Sequence, residues 1–557
     1  MNDSLPVFED RKGRKLSAYF KGVLRRQKEL VFPTLETRQY RRWMHRHQQE
    51  RRQRFQTPSE PNLLSVLTAV WDGSPLRYLK QLANSLIGQN KEGHSEWLIL
   101  DNGCSRPELL LYLEKLRNYH WIKVHRSEIN LGIVPGLRQC LQRANGRYIL
   151  PMDADDLLYS DALSIITSFV TQADYPDLLY TDEDKLTVGG ITQPYFKPDW
   201  DPVLLANSAY IAHLGIVDRK KALELNAYGD GETEGSPDWD LFIRFVNAGY
   251  KAVHIPEVIY SWRVHAHSTA DDARTKSYIV PSQEAVLTRF LESQASKNKF
   301  SLQNSSLLPG AAHWHFVRQH SDPKPMLCIF LENVPGRGTL HIPVGSYPSI
   351  HFARLPLPSN LFELKRLLSD TGTQDSYICF VGEDVRIQNP DWPWEALGLF
   401  ELFPDAVMIG GRIWNEAGVI VEADQHFGFG GLCDCPNRGR SASDPGYFAQ
   451  MWKQRSVSAV SFQFAVVEAQ YLLKVLRQIP AEASVAFGGA WIGAEAIRDC
   501  RRIVYTPFLS GISDTNWDRF ITSNERKAFI RKNADVIPDR RFYPEPFSLQ
   551  KGFALEQ

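Results

Sequence analysis

The sequence predicts an α/β fold whose first sheet is parallel. Short apolar runs suited to buried strands alternate with helical patterns between residues 64 and 152, and strands that alternate with helices form parallel sheets. Three predicted strands are followed by an aspartate, at Asp72, Asp101 and Asp153. Because the ligands of such sheets bind beyond the carboxyl ends of the strands, these carboxylates predict a polar cleft.

The elements of this unit follow one another with short connections. The predicted strands are 64–70, 97–100, 121–125 and 148–152, and the predicted helices are 76–86, 107–116 and 134–144. The strands are apolar runs, whereas the helices carry apolar residues at helical spacing. Ser74 and Pro75 favour a helix start, as N-cap and first helical residue.

Length and composition indicate an ordinary globular protein of two or three domains. The chain has 557 residues, 43% of them apolar, and equal numbers of basic and acidic residues, 64 each, so no net charge recruits nucleic acid. Seven scattered cysteines fit neither a disulfide framework nor a zinc site and favour a reducing compartment. No run reaches the roughly 18 apolar residues of a spanning helix, so we predict a cytoplasmic protein or one peripheral on the inner face of the cytoplasmic membrane.

Residues 1–60 are predicted to form a basic helical arm. Two amphipathic stripes lie among arginines and lysines: Leu16, Tyr19, Phe20, Val23 and Leu24, and then Tyr40, Trp43, Met44 and His47. One interpretation is that both apolar faces pack on the body of the protein. The other is that the arm rests on an anionic membrane surface, where each nearby cation contributes about 1 kcal/mol.

Asp153 and Asp155 stand one residue apart at the end of a predicted strand. Residues i and i+2 of an extended chain point the same way. Paired carboxylates of this kind hold Mg²⁺ or Mn²⁺, which binds a diphosphate. The alternative is a helix N-terminus in which Asp156 caps a helix that begins at Leu157.

A series of segments, in order along the chain, resembles the family 2 inverting glycosyltransferases of the GT-A fold, and most closely the bacterial members that build polysaccharide and O-antigen chains. The segments are Leu64–Val70, Leu100–Gly103, Asn130–Gly132, Met152–Asp156, Tyr180–Lys185, Phe196–Trp200, Gly235–Leu241 and Tyr260–Ala270. The resemblance implies transfer of a sugar from a nucleoside diphosphate, with UDP the expected type, to a hydroxyl of a glycan or lipid-linked saccharide. A homo-oligomer is a further expectation.

The resemblance also implies roles for the residues that bind the donor. Asp101 would read a uridine-type base, with Thr68 and Ala69 lining the same pocket. Asp153 would contact the ribose or the metal, and Asp155 would ligate Mn²⁺ or Mg²⁺. His265 corresponds to a family histidine near the metal, with His267 as a rival, and either could instead be an ordinary loop histidine.

Further expectations concern the diphosphate and the sugar. A guanidinium suits a diphosphate, which assigns Arg263 to the nucleotide. Asp184 and Trp239 would line the sugar or acceptor side, although the acidic run that contains Asp184 could be a solvated face. Arg138 stands where the family usually has asparagine, and it could reach a phosphate, reach a sugar carboxylate or form a surface ion pair.

Asp238 is the predicted catalytic base. Inversion in a single displacement needs one carboxylate to accept the proton of the attacking hydroxyl, worth about 10² to 10⁴ in rate. The family carries an acidic residue or glutamine before this aspartate, whereas this chain has Pro237. Asp240 is the alternative base, unless it caps the following helix.

The second half of the chain resembles the later half of another GT-A domain. Glu383 and Asp384 stand where metal ligands belong, but residues 487–492 contain no carboxylate for a base. We therefore predict a noncatalytic lobe. The predicted segments are the arm at 1–60, a GT-A domain at 61–300, a linker at 301–323, a degenerate GT-A-like domain at 325–535 and a tail at 536–557.

Three other functions remain open at this point. The chain could carry a second working transferase site, or both lobes could form a noncatalytic glycan-binding scaffold. A nucleotidyltransferase is the third, but it needs a glycine-rich basic loop after the first strand, and Val70–Ser74 is not such a loop.

Overall fold

The computed structural model describes residues 34–55, 60–264, 278–308, 313–332, 345, 347–357, 359–371 and 377–556. Within these residues an N-terminal helix precedes two α/β lobes. The first lobe contains strands β1 to β9, and the second contains strands β12 to β23. The predicted fold class, a GT-A-type lobe with a second α/β lobe and a helical arm, is confirmed.

The helices are distributed over both lobes. They are α1 (Leu35–Arg54), α2 (Leu76–Gln89), α3 (Pro107–Leu116), α4 (Ile133–Arg143), α5 (Ala162–Gln172), α6 (Pro202–Leu205), α7 (Arg219–Glu224), α8 (Pro237–Asn247), α9 (Ile279–Glu292), α10 (Leu361–Thr371), α11 (Trp392–Leu402), α12 (Ala469–Val475), α13 (Gly488–Arg498) and α14 (Ser523–Lys532). Within the described ranges, no helix combines the length and apolar character needed to cross a bilayer.

The strands form two large sheets and two small ones. In the first lobe they are β1 (Leu64–Val70), β2 (Glu96–Asn102), β3 (Ile122–Ser127), β4 (Tyr148–Pro151), β5 (Leu157–Leu158), β6 (Leu178–Thr187), β7 (Gly190–Tyr195), β8 (Gly215–Asp218) and β9 (Val253–Arg263). The later strands are β10 (Phe300–Asn304), β11 (Trp314–Arg318), β12 (Met326–Glu332), β13 (Ile350–Pro356), β14 (Tyr377–Gly382), β15 (Arg386–Ile387), β16 (Ala406–Trp414), β17 (Ile420–Glu422), β18 (Asp424–Phe427), β19 (Cys433–Asp434), β20 (Arg455–Val457), β21 (Ala459–Val460), β22 (Phe464–Glu468) and β23 (Arg502–Ile512). The segment predicted as a linker contains most of the β10–β11 hairpin.

The sheet of the first lobe has the order β3-β2-β1-β4-β8-β6-β9-β5, and β7 pairs with β6. Strands β1 to β4 are parallel, as predicted, whereas β8 and β5 run antiparallel to their neighbours. Six of the seven residues of β1 are buried, which is typical of a parallel strand covered on both faces. The carboxyl ends of β1, β2 and β4 therefore lie at one edge of the sheet.

The second lobe, whose large sheet also has nine strands, repeats the main strand order of the first sheet except at one edge. Its sheet has the order β13-β12-β14-β22-β16-β23-β15. If β12 is matched to β1, then β13, β14, β22, β16, β23 and β15 match β2, β4, β8, β6, β9 and β5, and the strand directions agree. Within the described residues, no strand of the second lobe corresponds to β3, the edge strand of the first sheet.

The two lobes share a buried polar interface. Asp201 of the first lobe is 1% exposed and accepts hydrogen bonds from the backbone N–H and the hydroxyl of Ser456 of the second lobe, both at 2.7 Å. Nearby, the rings of Tyr195 and Phe448 stack with centroids 3.9 Å apart. Because a buried carboxylate left without partners is costly, the lobes support one another.

The arm packs on the body of the protein through helix α1. Tyr40 and Met44 are each 1% exposed, and Arg51 forms an ion pair with Asp161 at 2.8 Å. For the stripe of α1, the packing interpretation is therefore the one that the structure supports. The stripe that begins at Leu16 lies outside the described residues.

One aromatic cluster joins both ends of the chain. It contains Tyr40 and Met44 of the arm, Phe196 of the first lobe, and Tyr543 and Phe547 of the C-terminal segment. The ring of Phe196 lies 6.3 Å from that of Tyr40 and 5.4 Å from that of Phe547. Residues near the two termini thus complete the surface of the same lobe.

Asp184 anchors the arm from within the first lobe. Its carboxylate is fully buried and accepts hydrogen bonds from the hydroxyls of Tyr40 and Tyr159 at 2.6 Å and of Ser261 at 2.5 Å. Burial raises the pKa of Asp184 to about 6, although the three hydroxyls oppose the increase. The folded protein therefore binds this proton more tightly than the unfolded chain does.

We expect the variant Asp184→Asn to remove part of the pH dependence of stability. A carboxyl group with a raised pKa favours folding at low pH, and this contribution is lost as the pH rises from about 4 to about 6. At 1.36 kcal/mol per pKa unit, the free energy of unfolding of the wild type should fall by about 2 kcal/mol relative to Asp184→Asn over that range. Thermal unfolding midpoints measured at several pH values test this difference. The exposed Asp174→Asn is the control, and a variant curve parallel to the wild type would contradict the prediction.

Candidate active site

The Asp-x-Asp turn follows strand β4 at the carboxyl edge of the first sheet. Asp153 is exposed and Asp155 is half-buried. Asp156 is buried and accepts hydrogen bonds from the hydroxyl of Tyr260 and from the backbone N–H of Arg263. The chain continues as strand β5, which pairs with β9, so the alternative of a helix capped by Asp156 is wrong.

The turn concentrates negative charge. Burial raises the pKa of Asp156 well above its usual range, and the nearby carboxylates of Asp153 and Asp155 raise it further. Carboxylate oxygens concentrated in this way favour the binding of a cation.

Arg263 stabilises the Asp-x-Asp turn. Its Nε donates to the backbone carbonyl of Asp155, and its guanidinium lies 4.1 Å from the ring centroid of Tyr78. The side chain is 7% exposed. In this structure the residue predicted to bind diphosphate thus holds the Asp-x-Asp turn in place.

Asp238 lies in the first turn of helix α8, which begins at Pro237. Its Oδ2 is 3.9 Å from Nδ1 of His213, and the Asp238 side chain is 27% exposed. The His213 ring stacks on Tyr260, with centroids 5.4 Å apart and an interplanar angle of 5°. Because Tyr260 is bonded to Asp156, a short series of contacts joins the predicted base to the Asp-x-Asp turn.

The buried side chain of Tyr228 gives a second indication that Asp238 lies close to the Asp-x-Asp turn. The hydroxyl of Tyr228 is buried without a hydrogen-bond partner in the described part of the chain. Burial raises the pKa of Tyr228 well above its usual range, and the carboxylates of Asp238 and Asp153 act in the same direction. Both carboxylates therefore lie near one hydroxyl.

The loop before Asp238 is attached to helix α4, which packs on strands β1 and β2. The carboxylate of Glu234 accepts hydrogen bonds from the backbone N–H groups of Ile133 and Val134, at the N-terminus of helix α4. Gly132 has a φ of +89°, and a Cβ there would meet the Glu234 carboxylate at 2.5 Å. The glycine of the Asn-Leu-Gly segment is thus required both for its backbone conformation and for this contact.

The predicted base-binding residues lie at the ends of β1 and β2. Asp101 is 4% exposed and accepts hydrogen bonds from the backbone N–H of Cys104 at 3.0 Å and from Arg126 at 2.7 Å. Ala69 is partly exposed. The hydroxyl of Thr68 is fully buried and accepts a hydrogen bond from Trp97 at 3.0 Å, so its side chain belongs to the core.

Two residues predicted to meet the sugar or acceptor lie in the interior. Asp184 is the buried anchor of the arm, as described above. Trp239 is 1% exposed and donates to the backbone carbonyl of Leu205 at 2.9 Å. A sugar cannot reach either side chain in this structure, and both assignments are corrected. The acidic run is not a solvated face, because Asp182, Glu183 and Asp184 are all buried.

Asp240, the alternative base, is also buried. It is 1% exposed and forms ion pairs with Arg244, at 2.6 Å, and Arg289. Two guanidinium groups leave this carboxylate no access to an acceptor. Arg138 has a similar structural role, since it donates to the backbone carbonyl of Ala227 at 2.7 Å.

The donor set at the turn fits a divalent cation that is shared with a substrate. The described residues contain no group of three or more His, Cys, Asp or Glu side chains able to hold a metal. Mg²⁺ and its analogues are often held by one or two carboxylates together with substrate phosphates and water, which matches Asp153 and Asp155. His265, the predicted third ligand, and its rival His267 lie outside the described residues.

The corresponding positions of the second lobe differ in chemistry. Asp384 follows strand β14, but its carboxylate accepts hydrogen bonds from the hydroxyls of Ser513 and Thr515. Helix α13, which corresponds to α8, begins at Gly488 and has no acidic residue in its first turn. The second lobe thus has no carboxylate at the position of Asp238.

Two residues of the site were not predicted from the sequence. His213 lies among apolar residues between α6 and β8, and a single histidine carries no pattern. Glu234 stands four residues before Asp238, and only the acidic spacing around the predicted base could have indicated it.

Comparison with known families agrees with this site. Residues 65–178, which span β1 to the start of β6 and include the Asp-x-Asp turn, match the family described as Glycosyl transferase family 2. This part of the first lobe is thus similar to family 2 glycosyltransferases. The predicted resemblance is thereby confirmed.

Three curated relatives extend the comparison. The uncharacterized protein y4gI of Sinorhizobium fredii is 26% identical over 517 residues, which is 86% of this chain and 56% of that protein. The O-antigen biosynthesis protein RfbC of Myxococcus xanthus is 29% identical over 37% of this chain and 16% of its own length. The poly(ribitol-phosphate) beta-N-acetylglucosaminyltransferase TarS of Staphylococcus aureus is 29% identical over 24% of each chain. The chain therefore spans about half or less of the length of these relatives.

Solved structures of TarS from S. aureus are also similar to this chain. One covers 42% of this chain and 80% of its own, with 18% identity and a TM-score of 0.32. Another, in complex with UDP-GlcNAc, covers 42% of this chain and 66% of its own, with 20% identity and a TM-score of 0.34.

Proposed function

We propose that the protein is an inverting glycosyltransferase that moves a sugar from a UDP-type donor to a hydroxyl of a bacterial surface glycan, such as O-antigen or another polysaccharide. The observation that carries the proposal is the placement of Asp238 and the Asp-x-Asp turn at one edge of the first sheet, joined through His213 and Tyr260. The family match supports the reaction class, and the names of RfbC and TarS support a surface glycan as the acceptor.

In this proposal Asp153 and Asp155 hold Mn²⁺ or Mg²⁺. A bound cation of this kind neutralises the charge of a diphosphate leaving group. Arg263 fixes the turn that carries both ligands. Asp101 binds the uracil base; its present partner Arg126 is 43% exposed and would move away from Oδ2 so that the base N–H can reach it.

Asp238 is the base of the proposed reaction. The acceptor hydroxyl loses its proton to the Asp238 carboxylate while its oxygen attacks the anomeric carbon, and the bond between that carbon and the diphosphate oxygen breaks. One carboxylate on the side opposite the leaving group is sufficient for inversion.

We propose that the second lobe is noncatalytic and serves to support the first. Its Asp384 is bonded to two hydroxyls, and helix α13 provides no base. The rival is a chain with two working sites, and the number of nucleotides bound per chain separates these possibilities.

Calorimetric titration with UDP, with and without Mn²⁺, tests the proposal. We expect binding that requires Mn²⁺ and saturates at one UDP per chain, because among the described residues only the first lobe combines the Asp153 and Asp155 pair with a strand at the position of β3. Two UDP per chain would favour the two-site rival, and no metal-dependent binding would favour the scaffold. A panel of sugar nucleotides, screened for metal-dependent hydrolysis, then identifies the donor.

A further inference from the structure

His213 lies beside the proposed base, and its side chain is partly exposed. Its Nδ1 is 3.9 Å from Oδ2 of Asp238, and the two side chains are 19% and 27% exposed. Within the described residues, neither ring nitrogen of His213 makes a hydrogen bond. The ring is therefore close to the carboxylate and has its hydrogen-bonding capacity available.

The position of His213 is determined by groups on several elements. Its ring stacks on Tyr260 and lies 5.1 Å from the ring of Trp262, both on strand β9. Its backbone carbonyl accepts a hydrogen bond from the ammonium of Lys197 at 2.7 Å. These contacts hold the ring against the base.

Lys197 is itself buried and bound on several sides. It is 1% exposed, and its ammonium also donates to Glu183 at 3.0 Å and to the carbonyl of Ala212 at 2.9 Å. A buried ion pair is retained only where its geometry is well satisfied. Two segments of the family resemblance, those that contain Glu183 and Lys197, thus meet to hold the backbone of His213.

We propose that His213 is a positioning residue for Asp238 and the second acceptor of the proton removed from the acceptor hydroxyl. The inference deepens the proposed function and rests on it. A structural role alone does not require histidine, because phenylalanine would stack on Tyr260 equally well.

The proton transfers balance as follows. The O–H bond of the acceptor breaks, its proton passes to Oδ2 of Asp238, and the oxygen forms the bond to the anomeric carbon. The proton then passes from Oδ2 to Nδ1 of His213, which leaves an imidazolium beside a regenerated carboxylate. Nε2 releases a proton to water, which leaves the neutral Nδ1–H tautomer. Proton exchange with water then returns the ring to the Nε2–H tautomer, whose Nδ1 can accept again. The ion pair formed in the second step stabilises the transferred proton.

Two variants of His213 test the inference in the full-length protein. The backbone of His213 has a φ of +53°, a conformation that asparagine and glycine tolerate better than alanine. His213→Asn keeps a polar side chain of similar shape that cannot take up a proton. His213→Gly leaves a space that an added imidazole can fill.

We expect His213→Asn to reduce the rate of sugar transfer by about 10²-fold, which is the low end of the effect of an acid-base group, and to leave Mn²⁺-dependent UDP binding unchanged. Added imidazoles should restore transfer by His213→Gly, and the rescued rate should rise with the basicity of the imidazole used. A merely structural role would not produce that dependence.

Several results would overturn the inference. Transfer by His213→Asn within threefold of the wild type would exclude a proton-accepting role. Rescue of His213→Gly that is independent of the basicity of the imidazole would show that His213 only fills space. A wild type that binds UDP but transfers sugar to no acceptor would instead overturn the proposed function, and this inference with it. Thermal unfolding of each variant confirms that it is folded.

Discussion

The variant Asp238→Asn is expected to bind the donor normally and to lose sugar transfer by about 10² to 10⁴-fold. Asparagine has the shape of aspartate but cannot accept the proton of the attacking hydroxyl. Asp238 is partly exposed, and its carboxylate lies 3.9 Å from the ring of His213. The substitution should therefore leave the fold intact. Single-turnover transfer rates and UDP calorimetry on the same preparation separate the chemical step from binding.

Asp240→Asn is the matched control for this prediction. Asp240 is buried between Arg244 and Arg289, and removal of one partner of a buried ion pair costs on the order of 3 kcal/mol of stability. We expect this variant to unfold at a lower temperature but to transfer sugar at temperatures where it remains folded. An active Asp238→Asn with an inactive, folded Asp240→Asn would move the role of base to Asp240.

The variant Asp155→Asn is expected to lose the response of UDP binding to Mn²⁺ and at least about 10²-fold of the transfer rate. The amide removes one of two anionic ligands, and charge neutralisation at a leaving group contributes several kcal/mol to catalysis. Titration with UDP at a series of Mn²⁺ concentrations measures the first effect directly.

Asp384→Asn is the control, because Asp384 follows strand β14 as the Asp-x-Asp turn follows β4. It should leave both UDP binding and transfer unchanged. If Asp155→Asn retained wild-type metal dependence, Asp155 would no longer be a candidate ligand. If Asp384→Asn halved the number of bound nucleotides, the second lobe would contain a working site.

Local patterns predicted the first lobe well. Helix α3 has the predicted bounds, and β1 agrees with the predicted apolar run over all seven residues. The Asp-x-Asp turn lies at a strand end, as its spacing indicates. These features depend on residues that are close in the sequence, where periodicity and turn chemistry determine the structure.

The roles of Asp184 and His213 could not be predicted in this way. The carboxylate of Asp184 is buried because Tyr40 donates to it from 144 residues away, and no local pattern reports such a partner. His213 likewise acquires its neighbours only when α8 and β9 come together. The acidic run was therefore assigned to the cleft although its partners lie in the core.

In the second lobe, too, the sequence predicts local features but not the order of the strands. The sequence shows directly that helix α13 lacks the carboxylate. The prediction of a GT-A-like repeat follows from short segments. The shared strand order is visible only in the folded sheet. Strand β22 follows β16 in the sequence, but in the sheet it lies between β14 and β16.

The aromatic cluster that joins the two chain ends has a consequence for biosynthesis. Helix α1 leaves the ribosome long before Phe547 is made, so the surface around Phe196 cannot be completed until the segment that contains Phe547 has been synthesised. Until then the nascent chain presents an apolar patch to chaperones and proteases. A stop codon shortly before Tyr543 should therefore lower the amount of protein in the cell even though every residue of the first lobe has been synthesised.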